Sequence, residues 1–352
     1  MLGGRMPIYY EKSERFADVL DPTQNYKLNK QSIEHRQDPL TEKNSIILRG
    51  RLAYVQRFFE TDEKFLYQYS EQTKGHCPFC PLSLKESTPR FPEEIVEGGR
   101  ITRGEAVTFP SLFAHVEHNA VTVLTKTHLL ALDQFNTGIL KDGISASLEY
   151  IKDVYIYDDK VKYAAFIMNY LPPAGSTVIH PHMQAIASFI PFQQIKEMVD
   201  NSRSYYERWR TNYWIDLIES EKKRGERYLG NISSSEWLLP FSPKGFYEVD
   251  AVLPERVSFI DLTEEDITGI AEGLSRILLF YKQNKIWSFN IAIFSGPLGQ
   301  RLNHFAVNLC IVARYGFREK WVSDMWSLPY LLCEPEIFDA PEALTPILQD
   351  FF

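Results

Sequence analysis

The fold of this chain is indicated best by one stretch, Asn169-Tyr-Leu-Pro-Pro-Ala-Gly175-Ser176-Thr177-Val-Ile-His180-Pro181-His182-Met-Gln184. A loop rich in proline, glycine and hydroxyl side chains leads into a segment with the composition of a strand. Because residues two apart in an extended segment face the same side, His180, His182 and Gln184 form one polar row. Pro181 favours the extended form, since it keeps the residue before it out of helical backbone. The stretch therefore predicts a loop that enters a β-strand with two histidines on one face.

The loop before this strand suits a phosphate group. Gly175, Ser176 and Thr177 offer backbone N–H groups and hydroxyls, which are donors for phosphate oxygens. An imidazole with one nitrogen bonded to a backbone carbonyl keeps a lone pair on the other nitrogen. Such a lone pair on His182 can attack phosphorus and form a phosphoramidate, which divides one transfer into two easier steps. The alternative, a pair of hydrogen-bonded histidines at a sheet edge, is disfavoured by the adjacent loop and the spacing.

A second motif, Cys77-Pro-Phe-Cys80, has the spacing of half a tetrahedral zinc site. The chain has four cysteines and no second Cys-x-x-Cys, so the other ligands come from elsewhere. The alternatives are a redox pair and two unpaired buried thiols. A redox motif needs a helix that follows a strand, whereas this segment has prolines on both sides. The candidates for the remaining ligands are His76, His115, His118, His128 and His180.

Length and composition limit the class of protein. A chain of 352 residues, 44% hydrophobic and 24% charged, is typical of a folded globular protein with room for two units. The net charge of −8 disfavours a nucleic-acid or anionic-membrane partner. No apolar run reaches the roughly 18 residues of a membrane span, and the first residues lack the apolar core of a signal peptide. We therefore expect a cytoplasmic protein.

Outward from the motif, hydrophobic patterns predict two copies of one α+β unit. Helices are predicted at 138–157 and 263–284, and residues 192–227 are predicted to form one long helix. Residues 1–45 are predicted to be an arm or an irregular lead-in. Strands are predicted around 105–113, 119–125, 162–170, 183–190, 237–239, 245–252, 257–260, 289–294 and 305–314.

The repeat is visible in the spacing of two residue pairs. Asn169 precedes Gly175 by six residues (175 − 169), and Asn290 precedes Gly296 by six (296 − 290). With this alignment the second copy reads Arg301-Leu302-Asn303-His304 where the first copy has its histidines. One active half and one structural half are therefore expected.

With these motifs the chain resembles the galactose-1-phosphate uridylyltransferases, a branch of the histidine-triad (HIT) superfamily. The resemblance implies an α+β fold of tandem HIT-like units with antiparallel sheets and flanking helices, in a homodimer. Residues 1–190 would form the catalytic HIT-like unit with its Cys-x-x-Cys metal clip, and residues 191–352 a degenerate HIT-like unit. The blocks that carry the resemblance are Arg36-Gln-Asp-Pro-Leu-Thr41, Cys77-Pro-Phe-Cys80, Phe109-Pro-Ser-Leu112, His128 and the stretch from Asn169 to Gln184.

The resemblance also implies a role for individual residues. His182 would be the nucleophile that carries a nucleoside monophosphate, and Gln184 would contact the phosphate and assist catalysis. The cofactor would be Zn²⁺, with four ligands: Cys77, Cys80, His128 and His180. Substrate-binding residues would be Arg51, Phe109, Leu112, Asn169, Gly175, Ser176, Thr177 and Gln184.

The implied reaction moves a nucleotide from a nucleotide sugar, or another activated nucleotide, to a sugar 1-phosphate or phosphate, as in galactose metabolism. The alternatives are an ADP-sugar or dinucleoside-polyphosphate phosphorylase, a HIT-type nucleotide hydrolase, and a metal-stapled nucleotide-binding protein without activity. Val107-Thr108 stands where the family has Asn-Asp for the ribose, and Val322–Pro329 departs from the family's hexose-binding segment. We therefore expect galactose 1-phosphate to be a poor acceptor.

Overall fold

A computed structural model of the protein describes residues 8–352 and contains, in that range, nine α-helices and fourteen β-strands. The first seven residues of the predicted lead-in, and of the predicted unit 1–190, lie outside the described residues. The helices are α1 Leu52–Phe59, α2 Glu63–Lys74, α3 Leu84–Ser87, α4 Thr137–Tyr157, α5 Gln193–Trp209, α6 Tyr213–Arg224, α7 Glu264–Gln283, α8 Ser327–Leu331 and α9 Pro341–Gln349. The strands are β1 Lys12–Asp21, β2 Lys27–Gln37, β3 Asn44–Ile47, β4 Ile101–Arg103, β5 Ala106–Pro110, β6 His118–Val123, β7 Tyr163–Tyr170, β8 His182–Ser188, β9 Tyr228–Ile232, β10 Ser235–Leu238, β11 Phe246–Leu253, β12 Phe289–Phe294, β13 Val307–Ala313 and β14 Glu336–Ile337.

A ten-stranded sheet holds the two halves of the chain together. Its order is β4-β5-β6-β8-β7-β12-β13-β11-β10-β9, with antiparallel pairing between neighbours. Counted outward from the β7–β12 junction, the two halves have the same strand order, and α4 and α7 follow the third strand of each half. The fold class is therefore confirmed as α+β with tandem units and antiparallel sheets. The division at residue 190 stays a prediction.

One face of the sheet packs on α4 and α7. Phe166 and Ile291 from the central strands lie in the same buried cluster as Ile144 of α4 and Ile270 of α7. Burial of this apolar surface is the main stabilising contribution, at roughly 25 cal/mol per Å². Because strand residues alternate, Met183 faces this core and its neighbours on either side face the opposite side of the sheet.

The opposite face is covered unevenly. Over the second half of the sheet, α5 and α6 place Met198, Trp214 and Ile218 against Leu238 and Val252. Over the first half, a small separate apolar cluster lies around β5 and β6. The β8 side chains that face away from the α4 and α7 core lie on this less covered part of the opposite face.

A smaller sheet has the order β1-β2-β3-β14. β1 and β2 form a long antiparallel hairpin from Lys12 opposite Arg36 to Asp21 opposite Lys27. An irregular lead-in, one of the two forms predicted for residues 1–45, was therefore wrong for residues 12–37, which form a β-hairpin arm. Nearly every residue of β1 is exposed, so the strand has no buried face to impose the alternation by which strands are identified in sequence.

Other elements also differ from the sequence prediction. The helix predicted at 192–227 is two helices, since α5 ends before Arg210, whose φ is +59°, and Asn212 caps α6. The strand predicted around 257–260 was wrong, because β11 ends at Leu253 and the next element is a 3₁₀ turn, Phe259–Asp261. The helices predicted at 138–157 and 263–284 are confirmed as α4 and α7. No helix within residues 8–352 has both the length and the apolar character of a membrane span.

The alignment of the repeat was wrong in its register. Asn169 is the last but one residue of β7, whereas Asn290 is the second residue of β12, and the two face each other across the junction of the halves. They are partners and not equivalent positions. The spacing to a glycine matched by coincidence, because it does not record where in a strand each asparagine lies.

Candidate functional site

The loop before β8 is held in a fixed turn. Gly175 has a φ of +88°, a left-handed conformation that favours glycine, and Leu171 adopts a φ of +69°. The Gly175 N–H donates to the Pro172 carbonyl at 2.9 Å, and the Ser176 N–H donates to the Leu171 carbonyl at 3.3 Å. The turn places the first residue of β8, His182, at the start of a strand in the middle of the sheet.

His182 is held in one tautomer. Its Nδ1 lies 2.8 Å from the His180 carbonyl oxygen, so Nδ1 carries the proton and Nε2 keeps the lone pair. Burial lowers the pKa of His182, although the bond to the His180 carbonyl opposes this. A neutral imidazole with a free nitrogen lone pair is a nucleophile that needs no separate base.

An apolar surface lies beside His182. The ring of Phe79 is 5.1 Å from the His182 ring and 5.7 Å from the Phe109 ring. Val121 and Val123 of β6 complete the cluster, and Val123 pairs directly with His182. A flat aromatic ring such as a nucleobase can lie against such a surface.

Two amide side chains share the face of the sheet with His182. Gln184 lies two residues further along β8 and accepts a hydrogen bond from Asn119 at 3.3 Å. Asn169 lies at the end of β7, and the β7–β8 register, with Ile167 opposite Gln184, continues to place Asn169 across from His182. Both amides are partly exposed and can contact a bound group.

A second cluster includes His180, two residues before His182. The ligand atoms of Cys77, Cys80, His128 and His180 all lie within 4.8 Å of one another. Cys80 Sγ is 3.4 Å from His128 Nδ1 and 3.7 Å from His180 Nδ1, and Cys77 Sγ is 3.7 Å from His180 Nδ1. These separations match the roughly 3.6 Å edge of a tetrahedron with zinc-type bond lengths. All four residues are buried.

The surroundings of the cluster fit a metal ion. His180 Nε2 lies 2.7 Å from the Thr125 carbonyl oxygen, and His128 Nε2 lies 3.1 Å from Thr73 Oγ1. Both rings therefore use Nε2 for an outer hydrogen bond and turn Nδ1 toward the thiols, as metal-bound histidines do. Burial raises the pKa of the Cys80 thiol to about 11, so a cation is needed to hold the thiolate form near neutral pH.

The structure reduces the histidine candidates for the metal site. Of the described residues, only His128 and His180 join the two cysteines in this cluster. His118 instead lies 3.1 Å from Asp158 through its Nε2. His76 and His115 are exposed side chains outside the cluster.

The predicted substrate-binding residues lie in different settings. Phe109 belongs to the apolar cluster beside His182. The Ser176 hydroxyl donates to the Val178 carbonyl at 2.7 Å, whereas Gly175 and Thr177 are exposed on the loop. Two of the predicted residues are not brought into contact with His182: Arg51 donates to Gln31 of the β1–β2 hairpin at 2.6 Å, and Leu112 is 70% exposed. The substrate roles of all of these residues stay predictions.

Sequence reasoning missed five residues that shape the site. Phe79 lies between the two motif cysteines and could have been noticed there. Asn290 was noticed, but as a repeat position and not as a partner of Asn169. Thr73, Asn119 and Thr125 gave no signal, because their contacts depend on packing between segments distant in the chain.

No family model matches the chain. A protein of Archaeoglobus fulgidus, described as uncharacterized, is 32% identical over 317 residues, which cover 90% of this chain and 91% of that protein. The chain belongs to the family of this archaeal protein.

Solved structures show which fold the family has. An ADP-glucose phosphorylase from Arabidopsis thaliana superposes with a TM-score of 0.69 at 16% identity, over 90% of this chain and 99% of that one. A GalT-like protein from Arabidopsis thaliana gives 0.68 at 16% identity, over 90% and 98%. A uridylyltransferase mutant gives 0.65 at 17% identity, over 78% and 93%. These superpositions confirm the fold expected from the resemblance, which this chain shares with GalT-like and uridylyltransferase structures.

Proposed function

We propose that the protein is a nucleotidyl-transferring enzyme in which His182 carries a nucleoside monophosphate as a covalent intermediate. The proposal rests mainly on the bond of 2.8 Å between His182 Nδ1 and the His180 carbonyl. That bond fixes a neutral imidazole with a free Nε2 lone pair at the start of a strand. The apolar surface of Phe79 and Phe109 beside it leaves room for a base. Thr177 of the loop before it is exposed and can donate to a phosphate.

The reaction then has two displacements. First, His182 Nε2 forms a bond to the α-phosphorus of an activated nucleotide, and the bond to the bridging oxygen breaks, with its electron pair leaving on the departing phosphorylated group. Second, an oxygen of a phosphate or sugar phosphate attacks the same phosphorus, and the P–N bond breaks to return neutral His182. The proton stays on Nδ1 throughout, hydrogen-bonded to the His180 carbonyl oxygen. Catalysis rests on positioning and on stabilisation of phosphate charge.

Zn²⁺ is proposed as the ion of the buried cluster, with Cys77, Cys80, His128 and His180 as ligands. Two sulfurs and two imidazole nitrogens in a closed tetrahedral arrangement are typical of a structural zinc site. When bound, the metal supplies a rigid support for the backbone. His180 links the two sites, because its ring faces the thiols and its carbonyl oxygen holds the His182 ring.

The proposed donor is a nucleotide sugar, and the proposed acceptor is a sugar 1-phosphate or inorganic phosphate. The fold shared with an ADP-glucose phosphorylase solved with ADP-glucose, and with a uridylyltransferase, supports this substrate class. Phosphorolysis of an ADP-sugar is the second candidate. One observation separates this chain from the galactose-1-phosphate uridylyltransferases, which by the resemblance have Asn-Asp at the place of Val107-Thr108. The Thr108 hydroxyl is buried against Thr122 at 2.8 Å on the other face of the sheet, and Val107 is apolar, so β5 offers the ribose no polar side chain there.

A homodimer is also part of the proposal. The β1–β2 hairpin exposes Phe16, Leu20, Tyr26 and Leu28, which are apolar or aromatic side chains of the type found in protein interfaces. Light scattering of the purified protein should give twice the chain mass. A mass of 40.9 kDa at micromolar concentration would argue against the dimer.

The decisive experiment uses ADP-glucose and UDP-glucose as separate probes. Each is mixed with the protein, which is then denatured and its intact mass measured. We expect one added nucleoside monophosphate per chain with at least one probe, and its removal by phosphate or a sugar phosphate. An adduct that water removes as fast as phosphate would indicate a hydrolase, and a protein that binds both probes without an adduct would be a binding protein. Efficient exchange confined to UDP-glucose and galactose 1-phosphate would contradict the expected loss of galactose specificity.

A further inference from the structure

We propose that Asn119 and Asn290 are positioning residues, which turn the NH₂ groups of Gln184 and Asn169 toward a phosphate bound at His182. The inference rests on the proposed function and adds two residues to it. Neither asparagine touches the reacting atoms. Each acts through the amide side chain beside it.

The side-chain amide of Asn290 is fixed in orientation by its hydrogen bonds. Its Oδ1 accepts from Arg314 Nη1, and a guanidinium can only donate. Its Nδ2 lies 2.9 Å from the Ala174 carbonyl oxygen, and a carbonyl can only accept. Two one-way partners therefore fix which end of the Asn290 amide is oxygen and which is nitrogen.

This orientation determines that of Asn169. Asn290 Nδ2 also donates to Asn169 Oδ1 at 2.6 Å, so the oxygen of Asn169 is committed to Asn290. The NH₂ group of Asn169 then points away from β12 and toward the β8 side, where His182 lies on the same face. In the described part of the chain, this NH₂ group has no hydrogen-bond partner.

Arg314 is itself held in place. Its Nε donates to Asp324 at 2.6 Å, and its Nη2 donates to the other carboxylate oxygen of the same residue. A guanidinium bound through two of its nitrogens is fixed in orientation, which leaves Nη1 for Asn290. A hydrogen-bonded chain thus runs from Asp324 through Arg314 and Asn290 to Asn169. The ion pair at its charged end fixes which group donates and which accepts at every later bond.

Asn119 orients Gln184 in the same way on the other side of His182. Asn119, which is buried, accepts through Oδ1 from the His115 backbone N–H at 3.1 Å, and its Nδ2 lies 3.4 Å from the Ala120 carbonyl oxygen. Again one partner only donates and the other only accepts. Asn119 Nδ2 donates to Gln184 Oε1 at 3.3 Å, so Gln184 also has its oxygen committed and its NH₂ group free.

The chemical consequence is a pair of oriented donors around the nucleophile. During transfer, negative charge shifts onto the phosphate oxygens, and donors already aimed at it stabilise the transition state more than donors that must first turn. An unguided amide would present oxygen as readily as nitrogen, and an oxygen facing a phosphate is repulsive. Asn119 and Asn290 remove that second orientation.

The test is the replacement Asn290→Asp. A carboxylate beside Arg314 forms a favourable ion pair, so the fold should be retained. The carboxylate can no longer donate to the Ala174 carbonyl or to Asn169, and Asn169 must turn its NH₂ group toward it. With ADP-glucose or UDP-glucose, whichever labels the wild type, the single-turnover rate of adduct formation should fall ~100-fold. The probe concentration that gives the half-maximal rate should change much less. An altered fold would change both the rate and this concentration, so the comparison separates positioning from misfolding.

Three further variants separate orientation from charge and from stability. Asn290→Leu removes the donor without adding a charge and should lower the rate ~10-fold, because the Asn169 amide is then free to turn. Asn231→Asp is the matched control, since Asn231 donates to the Ser235 carbonyl at 3.2 Å on β9, at the far edge of the sheet. It should react at the wild-type rate. Asn119→Asp should behave like Asn290→Asp if it folds.

The outcomes distinguish this inference from the function on which it rests. A wild-type protein that forms no adduct with either probe refutes the proposed function. A wild-type protein that forms the adduct, together with Asn290→Asp and Asn290→Leu variants that form it at the same rate, refutes the positioning role alone. A drop of the predicted size in both variants, with wild-type rates in Asn231→Asp, supports it.

Discussion

In the first half of the large sheet, His182 begins β8 and its Nδ1 donates to the backbone carbonyl of His180 at 2.8 Å. In the second half, Asn308 lies at the start of β13 and its Nδ2 donates to the carbonyl of Ala306 at 2.9 Å. His182 pairs with Val123 at the end of β6, and Asn308 pairs with Val252 near the end of β11. The two residues are therefore equivalent by strand order, by register and by hydrogen bond.

What differs between the halves is the chemistry carried on the same frame. The second half has Ala306 where the first has the ligand candidate His180, and Cys310 where the first has Gln184. Its equivalent face is filled by side chains such as Met198 and Trp214, around a residual cavity of about 80 Å³. In both halves a polar side chain bonds back to the chain at this position, but only the first half has an imidazole there.

The largest expected effect comes from converting the first half into the second. His182→Asn keeps a donor for the His180 carbonyl, so the fold should be retained, but an amide nitrogen has no lone pair for phosphorus. We expect kcat to fall ~10⁴-fold or more, measured with whichever probe labels the wild type. Asn308→His is the matched control and should leave both kcat and the number of adducts per chain unchanged. A second adduct in that variant would show that the halves differ less than their sequences suggest.

A somewhat smaller effect is expected from the cysteines of the two halves. Cys77→Ser removes a thiolate from the buried cluster and should abolish stoichiometric zinc, with a fall in melting temperature of ~5–10 °C. Cys310→Ser, on the equivalent of the Gln184 position, should keep the metal. Elemental analysis and thermal unfolding measure both. Wild-type protein without zinc or another transition metal would contradict the proposed cofactor.

The smallest effect is expected from the ion pairs of Glu342, which link the second half of the chain to the N-terminal hairpin. Burial alone would raise the pKa of Glu342, but hydrogen bonds and charge from Arg36, with a further hydrogen bond from Arg227, lower it to about 2. Because this pKa lies below the value of about 4.5 for an ordinary glutamate, the stabilisation is present above pH 4.5 and is lost as the pH falls toward 2.

The variant Glu342→Gln should therefore lower the free energy of unfolding by about 1–2 kcal/mol at pH 7. The difference from wild type should shrink below pH 4.5. Chemical denaturation at a series of pH values measures it. A difference that stays constant down to pH 3 would show that the ion pairs with Arg36 and Arg227 do not hold this junction.

The sequence was sufficient where a local pattern reflects local physics. The periodic helices α4 and α7 were predicted within one residue at each end, because each has a continuous buried stripe. The sequence predicted a metal site at the two cysteines and five histidine candidates for its other ligands, because the Cys-x-x-Cys spacing is itself a geometric constraint. Choosing His128 and His180 among five histidines needed the resemblance or the structure, because their convergence on the cysteines spans 48 to 103 residues of chain.

The sequence was insufficient where partners are distant or where nothing is buried. The β1–β2 hairpin has exposed faces and so shows no strand periodicity. The break between α5 and α6 depends on one left-handed residue, Arg210, of a type that rarely marks such a break. The register of the repeat could not be read from spacing, because Asn169 and Asn290 lie at opposite ends of their strands.

The most direct test of the account is to locate the nucleotide after reaction. The protein is incubated with ADP-glucose or UDP-glucose, digested at alkaline pH, where phosphoramidates survive, and its peptides are sequenced by mass spectrometry. The account predicts one nucleoside monophosphate per chain, attached to His182, and none on the peptide that contains Asn308. Attachment to any other residue, or turnover without an attached nucleotide under single-turnover conditions, would contradict it.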